Sequence, residues 1–303
     1  MKVGLGQIKY ETGKVKKNLK KIQKFIFKAK KEEVDLLVFP ELSLTGYSLK
    51  SHLISKVALR LDDPIIESLK EESKDISLVV GLVEESKTYD FYNTALYLEK
   101  GEIKHLHRKI YLPNYGIFEE KKYFSSGKEV KAFETSYGRM GVLVCADSWH
   151  PVLPYILALD GAFIFINVVA SYSKGLGKKI STRYAWERLN KFYAQVFSCY
   201  VVFVNTVGAD GENSFWGGST VIKPGGRTLV KADYCKEQLA TAYIDLKRVR
   251  YYKNVLPEFK EEKIDLVIRE LKRIKKDKLK NVSFKHFNKP FKRKNFEKKA
   301  YLP

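Results

Sequence analysis

The sequence predicts an α/β protein in which most strands are buried. Short runs rich in valine, isoleucine, leucine and phenylalanine recur between amphipathic stretches, a pattern typical of buried strands that alternate with helices. The stretch after the first run carries apolar residues at helical spacing, among them Ile22, Ile26 and Ala29. The chain shows no internal repeat and no linker before residue 250. We therefore expect one domain over residues 1–250 and a C-terminal extension, a helix followed by an extended basic tail, over residues 251–303.

Each element follows from a local pattern. Apolar runs predict the strands, and Pro40 ends the second of them. Gly101, Gly138 and the pair Gly225-Gly226 predict the turns of three antiparallel hairpins. In chain order we predict strand 3–8, helix 14–32, strand 36–40, helix 64–75, strands 76–83, 93–98, 102–109, 130–135 and 140–145, helix 152–160, strand 162–167, helix 182–197, strands 200–207, 215–222, 226–230 and 239–245, and helix 258–280.

The composition excludes several classes of protein. With 303 residues, 45% of them hydrophobic, the chain has enough material for a large core and is neither disordered nor collagen-like. The longest apolar runs, at 162–166 and 200–204, are too short to span a bilayer, and the N-terminus lacks a signal peptide's apolar segment. Cys145, Cys199 and Cys235 are too few and too scattered for a disulfide framework. We expect a soluble cytoplasmic protein with no membrane partner.

The charge balance is strongly basic. The chain has 56 Lys and Arg against 35 Asp and Glu, a formal net charge of +21. Residues 272–299 alone contain 13 Lys and Arg and 2 Asp and Glu. Such a run can bind nucleic acid, an acidic protein or an anionic surface, but a charge run alone is weak evidence, and a lysine-rich solubilising terminus also explains it. We favour the latter interpretation and do not expect a nucleic-acid partner.

Three segments place a reactive side chain at the end of a predicted buried strand, where α/β folds tend to hold their sites. Glu41 follows the second strand as a candidate general base, although a surface glutamate that caps the next turn fits as well. Cys145 ends a strand before a turn whose N–H groups can activate a thiol or bind an oxyanion, although many buried cysteines are inert. Lys109 ends a third strand before an aromatic loop, where it can stabilise negative charge or remain solvated.

Other patterns of chemistry are missing from the sequence. There is no Gly-x-Ser-x-Gly elbow, no phosphate-binding Gly-Lys-Ser/Thr loop and no Cys-x-x-Cys pair, and the five histidines lack metal-ligand spacing. We interpret His105 and His107 as ordinary polar residues of a strand, His150 as part of a turn, and Cys199 and Cys235 as structural. No metal and no cofactor are expected.

Taken together, the three segments resemble the nitrilase superfamily of carbon–nitrogen hydrolases over about residues 2–245. Residues 39–47 are similar to its glutamate motif, 108–120 to its lysine motif and 144–149 to its cysteine motif, in the family's order. Two later segments, 200–208 and 217–226, also match. The resemblance implies a four-layer αββα sandwich and a homo-oligomer, a dimer or larger. It makes residues 1–250 a carbon–nitrogen hydrolase domain.

The resemblance also implies a mechanism with a Glu-Lys-Cys triad. Glu41 takes the thiol proton and Cys145 attacks an amide carbonyl to form a thioester. Lys109 and the backbone N–H of Ala146 stabilise the oxyanion. Glu120 matches the second glutamate of many members, which orients the lysine or the substrate. Asp147 is assigned a structural role, holding the turn after the nucleophile.

Within the superfamily, residues 111–124 are very similar to the glutaminase domain of glutamine-dependent NAD synthetase, as is Ser171 with the Gly175 and Lys178 that follow it. That branch places Ser171 near the α-substituents of glutamine and Tyr115 near the mouth of the site. Ala146 departs from it, because a glutamate usually stands there. A second departure is Val196-Phe197, where that branch usually has Glu-Asn before the strand at 200–207.

We therefore expect an amidase that cleaves a small linear amide, with glutamine or another ω-amide favoured. An N-carbamoyl amine or acid amidohydrolase is the alternative within the class, and a binding subunit that uses its basic tail is the alternative outside it. The synthetase's Ser-Gly-Gly pyrophosphate-binding loop is missing, so we expect these 303 residues not to make NAD alone. A separate synthetase that accepts ammonia is then a candidate partner.

Overall fold

A computed structural model describes residues 1–47, 51–173, 181–210 and 213–281. The predicted basic tail after Asn281, and the Gly175 and Lys178 of the resemblance, lie outside these residues. The chain divides into two compact units, Met1–Phe259 and Lys260–Pro303. No helix of the described residues is both long and apolar enough to cross a membrane.

The first unit contains both strands and helices. Its strands are β1 (Lys2–Gln7), β2 (Leu36–Val38), β3 (Ser77–Glu85), β4 (Phe91–Glu99), β5 (Glu102–Arg108), β6 (Phe133–Thr135), β7 (Gly138–Val144), β8 (Ile164–Val169), β9 (Tyr200–Asn205), β10 (Val207–Asp210), β11 (Asn213–Trp216), β12 (Thr220–Ile222), β13 (Thr228–Lys231) and β14 (Gln238–Tyr243). Its helices are α1 (Val15–Lys31), α2 (Ser51–Val57), α3 (Pro64–Glu72), α4 (Val152–Leu159), α5 (Thr182–Val196) and α6 (Leu246–Val255), and the second unit contains α7 (Ile264–Asn281).

Two six-stranded sheets form the centre of the first unit. Their strand orders are β14-β1-β2-β3-β4-β5 and β13-β12-β9-β8-β7-β6, and β10 and β11 form a separate pair. Strands β1, β2 and β3 run parallel, as do β7, β8 and β9. The carboxyl ends of parallel strands gather at one edge of a sheet, which is where an α/β protein can assemble a site from distant parts of the chain.

The two sheets and the helices on their outer faces form four layers, because alternate side chains of each strand point to opposite faces. Val38 and its neighbours on the first sheet pack against Val142 and Ile166 of the second, in a cluster of buried residues between the sheets. The opposite face of the first sheet packs on α1 and α3, and that of the second on α4 and α5. Strand β2 shows the alternation, because Leu36 and Val38 face the other sheet while Leu37 faces the helices. The predicted αββα sandwich is confirmed.

Local signals explain where the helices begin and which face they bury. Asp63 accepts a hydrogen bond from the N–H of Ile65 at 2.8 Å, and Pro64 occupies the first turn of α3, a favourable start for a helix. Helix α1 buries the apolar stripe that predicted it, including Ile22 and Ala29. Apart from α2, the order of predicted elements matches the structure closely up to residue 205.

Later elements differ from prediction. The strand predicted at 215–222 is two strands, because Gly217 and Gly218 adopt positive φ values of 69° and 61° and carry the chain from β11 to β12. The helix predicted from residue 258 begins at Ile264, after a short 3₁₀ helix. Helices α2 and α6 were not predicted, and α6 buries only Val249, too little for an apolar pattern. The domain boundary predicted after residue 250 falls within α6 and stays a prediction.

Candidate active site

The turn after β2 carries Glu41 into the interior, where its side chain is fully buried. Two glycines allow the backbone to pack closely around that turn. Gly46 adopts φ +83°, and a Cβ there would lie 2.4 Å from the Cα of Thr12. Gly81 on β3 packs directly against the turn, where a Cβ would lie 2.4 Å from the backbone nitrogen of Leu42. No larger residue fits either position, so the glutamate is fixed by backbone packing as well as by its own hydrogen bonds.

Three groups from separate parts of the chain bind the Glu41 carboxylate. Oε1 accepts hydrogen bonds from Asn93 Nδ2 at 2.8 Å and from Lys109 Nζ at 2.7 Å. Oε2 accepts one from the backbone N–H of Ala170 at 2.8 Å. Asn93 lies on β4, Lys109 follows β5, and Ala170 follows β8, so both sheets contribute to this contact. The alternative of an exposed capping glutamate is wrong.

Lys109 is a fully buried ammonium held between two carboxylates. Its Nζ donates to Glu41 Oε1 and to Glu120 Oε1, each at 2.7 Å, and the hydroxyl of Tyr47 also donates to Glu120 Oε1. Burial by itself lowers the pKa of Lys109, but the charges of Glu120 and Glu41 outweigh it and leave that pKa above its usual value. The side chain is therefore an ammonium at neutral pH, and the solvated lysine that the sequence allowed is wrong.

Glu120 is the carboxylate beside Lys109 that lacks a full set of hydrogen bonds within the described residues. Burial raises its pKa to about 7, with the ammonium of Lys109 opposing the rise and the carboxylate of Glu41 adding to it. Its Oε2 has no hydrogen-bond partner among the described residues. Near pH 7 the carboxyl is therefore partly protonated, and one of its oxygens stays unpaired in the part of the chain that the structure describes.

Cys145 follows β7 and begins a 3₁₀ helix that ends at Trp149. Its backbone lies in the left-handed region, with φ +46°, an uncommon conformation for a residue with a side chain. Burial raises the pKa of the thiol, the negative charge of Glu41 raises it further, and Lys109 and the N–H of Ala170 act in the opposite direction. The thiol is therefore protonated at rest, close to the charges of Glu41 and Lys109.

Asp147 ties the cysteine turn to the lysine segment. Its Oδ1 accepts hydrogen bonds from the backbone N–H groups of Ile110 at 3.0 Å and Tyr111 at 2.9 Å. Its Oδ2 accepts one from the N–H of Val144 at 3.3 Å and lies 2.8 Å from His107 Nε2. The same carboxylate therefore fixes the residues directly after Lys109 and the residue directly before Cys145.

The interpretation of His107 as an ordinary polar residue is wrong, because it is buried against Asp147. A signal was present in the sequence: His107 lies two residues before Lys109, and alternate residues of a strand share one face. His105 has a different environment, stacked on Phe133 with ring centroids 4.1 Å apart.

The nucleophile candidate opens on a cavity of about 150 Å³. Three of the predicted supporting residues, Tyr115, Ala146 and Ser171, line this cavity, whereas Glu120 lies behind it on Lys109. Tyr115 is 59% exposed at the mouth, and Ser171 is buried and accepts a hydrogen bond from Trp186 Nε1 at 3.1 Å. The cavity is largely aromatic, and its remaining lining residues are Tyr47, Pro113, Phe118, Trp149, Ala170, Tyr172, Thr182 and Trp186.

The remaining candidates lie elsewhere. Cys199 is fully buried, which raises its pKa, and Cys235 is exposed. His150 stacks on Tyr111, with ring centroids 3.3 Å apart. Within the part of the chain that the structure describes, no group of three or more His, Cys, Asp or Glu side chains is placed to hold a metal ion.

Sequence reasoning missed four residues that complete the site: Tyr47, Asn93, His107 and Ala170. Tyr47 lies in the glutamate motif but shows its role only through its contact with Glu120. Ala170 acts through its backbone N–H, which no side-chain pattern reveals. Only His107 carried a usable signal.

Comparisons with known proteins agree with this geometry. Residues 2–254 match the carbon–nitrogen hydrolase family. The chain is 30% identical over 244 residues to the glutamine-dependent NAD(+) synthetase of Aquifex aeolicus, which covers 80% of this chain and 42% of that protein. It is 24% identical over 270 residues to the N-carbamoylputrescine amidase of Solanum tuberosum, covering 84% and 90% respectively.

Among solved structures, the carbon–nitrogen hydrolase from Helicobacter pylori G27 matches with a TM-score of 0.79 at 26% identity, covering 90% of this chain and 99% of that one. The chain thus spans less than half the length of the synthetase relative and nearly all of the hydrolase. The resemblance inferred from the three motifs is confirmed, and the protein belongs to the carbon–nitrogen hydrolase family.

Proposed function

We propose that the protein is a cysteine-dependent amidohydrolase that cleaves the C–N bond of a small linear amide through a thioester, with glutamine or another ω-amide as the favoured substrate. The observation that carries the proposal is the Lys109 ammonium, fully buried between Glu41 and Glu120 beside a cavity that Cys145 lines. Burying three charges is costly, and such groups are most often retained where they do chemistry.

The first step is proton transfer from Cys145 to Glu41. The raised pKa of the thiol means that it needs a base, and Glu41 is close enough for its charge to raise that pKa further. The sulfur then attacks the amide carbonyl carbon, the C–S bond forms, and the carbonyl electron pair moves to oxygen. The ammonium of Lys109 and the backbone N–H of Ala146 stabilise the oxyanion.

Collapse of this tetrahedral intermediate breaks the C–N bond. Glu41 returns its proton to the leaving nitrogen, so that ammonia or an amine departs and a thioester remains on Cys145. Glu41 then takes a proton from water, the hydroxide attacks the thioester, and the acid and the free thiol are released. One carboxylate therefore acts as base and acid in both halves of the reaction.

The other residues of the site support this cycle. Glu120 orients Lys109 through its 2.7 Å contact. Ser171 and Tyr115 contact the part of the substrate beyond the scissile amide, since both line the cavity. We propose that the enzyme works as a homo-oligomer and passes ammonia to a synthetase, because its relatives include glutamine-dependent NAD(+) synthetases.

A second candidate is an amidohydrolase of N-carbamoyl amines or acids. Ala146 favours it, because a glutamate usually stands at this position in the glutaminase branch and the chain offers only a methyl group to a substrate there. The match to the N-carbamoylputrescine amidase of Solanum tuberosum also covers 90% of that protein's length. A binding subunit that uses the basic C-terminal residues is the remaining alternative.

Ammonia release from glutamine, other ω-amides, N-carbamoyl compounds and nitriles tests these proposals. We expect turnover of ω-amides, and we expect Cys145→Ala to lower it about 10⁴-fold or more. Cys235→Ala, at an exposed cysteine, is the matched control and should keep full activity. Intact-mass measurement of the quenched enzyme should show an acyl group on Cys145.

Turnover of N-carbamoyl compounds alone would favour the second candidate. Turnover of no compound, together with binding of an anionic partner that weakens steeply with salt, would favour the binding subunit, because counterion release governs such binding.

A further inference from the structure

A second cavity of about 670 Å³ lies beside the catalytic cavity, and the mechanism does not use it. The two cavities share four lining residues, Pro113, Tyr115, Ala146 and Trp149. The catalytic cavity, at about 150 Å³, falls below the range of about 300–1,000 Å³ that ligand pockets usually occupy, whereas the second cavity lies within it. The two cavities therefore adjoin, and the second is large enough for the part of a substrate that exceeds the first.

Ala146 is the junction between the two cavities. It follows Cys145 directly and lines both spaces. Its side chain is a single methyl group, the smallest among the four residues that line both cavities. A chain that crosses this junction starts next to Cys145, at the scissile group.

The wall of the second cavity combines apolar and polar groups with one charged side chain. Its apolar members include Ile110, Leu112 and Phe124, and its polar members include Asn114, Ser126 and the stacked pair of Tyr111 and His150. Burial lowers the pKa of His150, with Asp147 opposing it, so the imidazole is neutral at pH 7.

Lys121 is the one charged side chain that lines the cavity at neutral pH within the described residues. It is exposed and has no ion-pair partner among those residues. Lys121 can therefore pair with an anion, while the apolar residues of the wall can pack against methylene groups.

We propose that the second cavity binds the distal part of an extended amide substrate, with an apolar chain that passes Ala146 and a terminal carboxylate that pairs with Lys121. This inference rests on the proposed amidohydrolase function and names the substrate class of that site. It assigns specificity to Ile110, Leu112, Lys121 and Phe124, to which the mechanism gives no role.

A series of diacid monoamides tests this proposal, from succinamate, with four carbons, to the monoamide of dodecanedioic acid. Each compound keeps one amide and one carboxylate and differs only in the number of methylene groups. We expect kcat/KM for ammonia release to rise with chain length by about tenfold or more and then level off, because added methylene groups gain binding in an apolar pocket. An n-alkyl amide of matched length, which lacks the carboxylate, should be a poorer substrate.

Two variants locate the effect. Lys121→Ala should lower the ratio of long-chain to short-chain kcat/KM by about two- to fivefold, the size expected for an exposed ion pair. Lys122→Ala is the matched control, because Lys122 is the adjacent exposed lysine and does not line the cavity. Ala146→Leu, which fills the junction, should lower the same ratio by more than Lys121→Ala does.

The proposal is overturned if kcat/KM is flat or falls with chain length, or if the length preference persists in Ala146→Leu. Calorimetric titration of the same compounds into Cys145→Ser separates this result from failure of the proposed function. If no amide is hydrolysed but the long monoamide binds more tightly than succinamate and Ala146→Leu in this background removes the difference, the cavity assignment stands and the hydrolase proposal fails. If long and short compounds bind equally, the cavity assignment fails as well.

Discussion

Two charged regions of the molecule use the same residue types in opposite surroundings. Lys109 and Glu41 are 0% exposed. On α7, Arg273 binds Glu270 at 2.7 Å and Asp277 at 3.2 Å, yet all three side chains are at least 40% exposed. The N–O distances are alike, so they do not distinguish the two groups of ion pairs. Exposure to water distinguishes them, since water screens the charges on α7 and is excluded from those around Lys109.

The difference in burial predicts which charged residues contribute most to stability. A buried ion pair that loses one partner leaves an uncompensated charge in the interior, whereas an exposed pair that loses one partner is resolvated. Mutations in the two regions should therefore differ by several-fold in their effect on stability. Four substitutions test that expectation, beginning with the largest effect.

Lys109→Met should be the most damaging, because it leaves two buried carboxylates without a counter-ion. We expect it to abolish measurable hydrolysis and to lower the free energy of unfolding by about 3–5 kcal/mol. The loss should grow between pH 5.5 and pH 8, because carboxyls left without the ammonium have raised folded-state pKa values and destabilise the fold where they ionise.

Chemical denaturation at the two pH values measures this. Lys104→Met is the control, since Lys104 lies on β5, the strand that Lys109 directly follows, and pairs with Glu102 at 2.6 Å in solvent. An equal loss for both variants would show that burial is not the deciding factor.

Glu120→Gln should change the pH dependence of activity. The pKa of Glu120 is raised to about 7, so wild-type kcat/KM should fall below about pH 7 with an apparent pKa that belongs to the coupled group of Glu41, Lys109 and Glu120. Removing one of two neighbouring negative charges favours ionisation of the other. We therefore expect the acid limb to move to lower pH and kcat to fall about tenfold or more as Lys109 loses a charged anchor. A limb that stays near pH 7 in the variant would exclude Glu120 as its source.

His107→Phe should destabilise the fold by about 1–3 kcal/mol, because it removes a partner of the buried Asp147 carboxylate. His105→Phe is a control two residues away on the same strand, where Nε2 has no hydrogen-bond partner among the described residues. Thermal unfolding of both variants measures the difference. If His107→Phe also lowers kcat with little change in KM, the Asp147 contact positions the catalytic turn. Equal unfolding temperatures for the two variants would contradict this role.

Arg273→Ala on α7 should have the smallest effect, below about 0.5 kcal/mol in the free energy of unfolding, with no change in ammonia release. High salt should make even that difference vanish, because the ion pairs of Arg273 are screened. A loss of 2 kcal/mol or more in denaturant titration would mean that α7 is buried in the assembled protein.

Much of this arrangement could be predicted from the sequence, because the elements that carry the site are regular. Apolar runs with their breaks revealed the strands that end near Glu41, Lys109 and Cys145, and the motif order revealed the family. The contacts could not be predicted, because they join residues far apart in the chain. Glu41 and Ala170, for example, are 129 positions apart and 2.8 Å apart in space. The second cavity likewise depends on how two loops face each other.

The backbone conformation of Cys145 has a consequence for how such a protein evolves. A φ of +46° is costly for a residue with a Cβ, by roughly 1–2 kcal/mol, and glycine adopts it without that cost. The reactive residue therefore occupies a position where the fold alone would prefer glycine. Selection for thermostability without a screen for activity should enrich Cys145→Gly, so the nucleophile persists only as long as its chemistry is under selection.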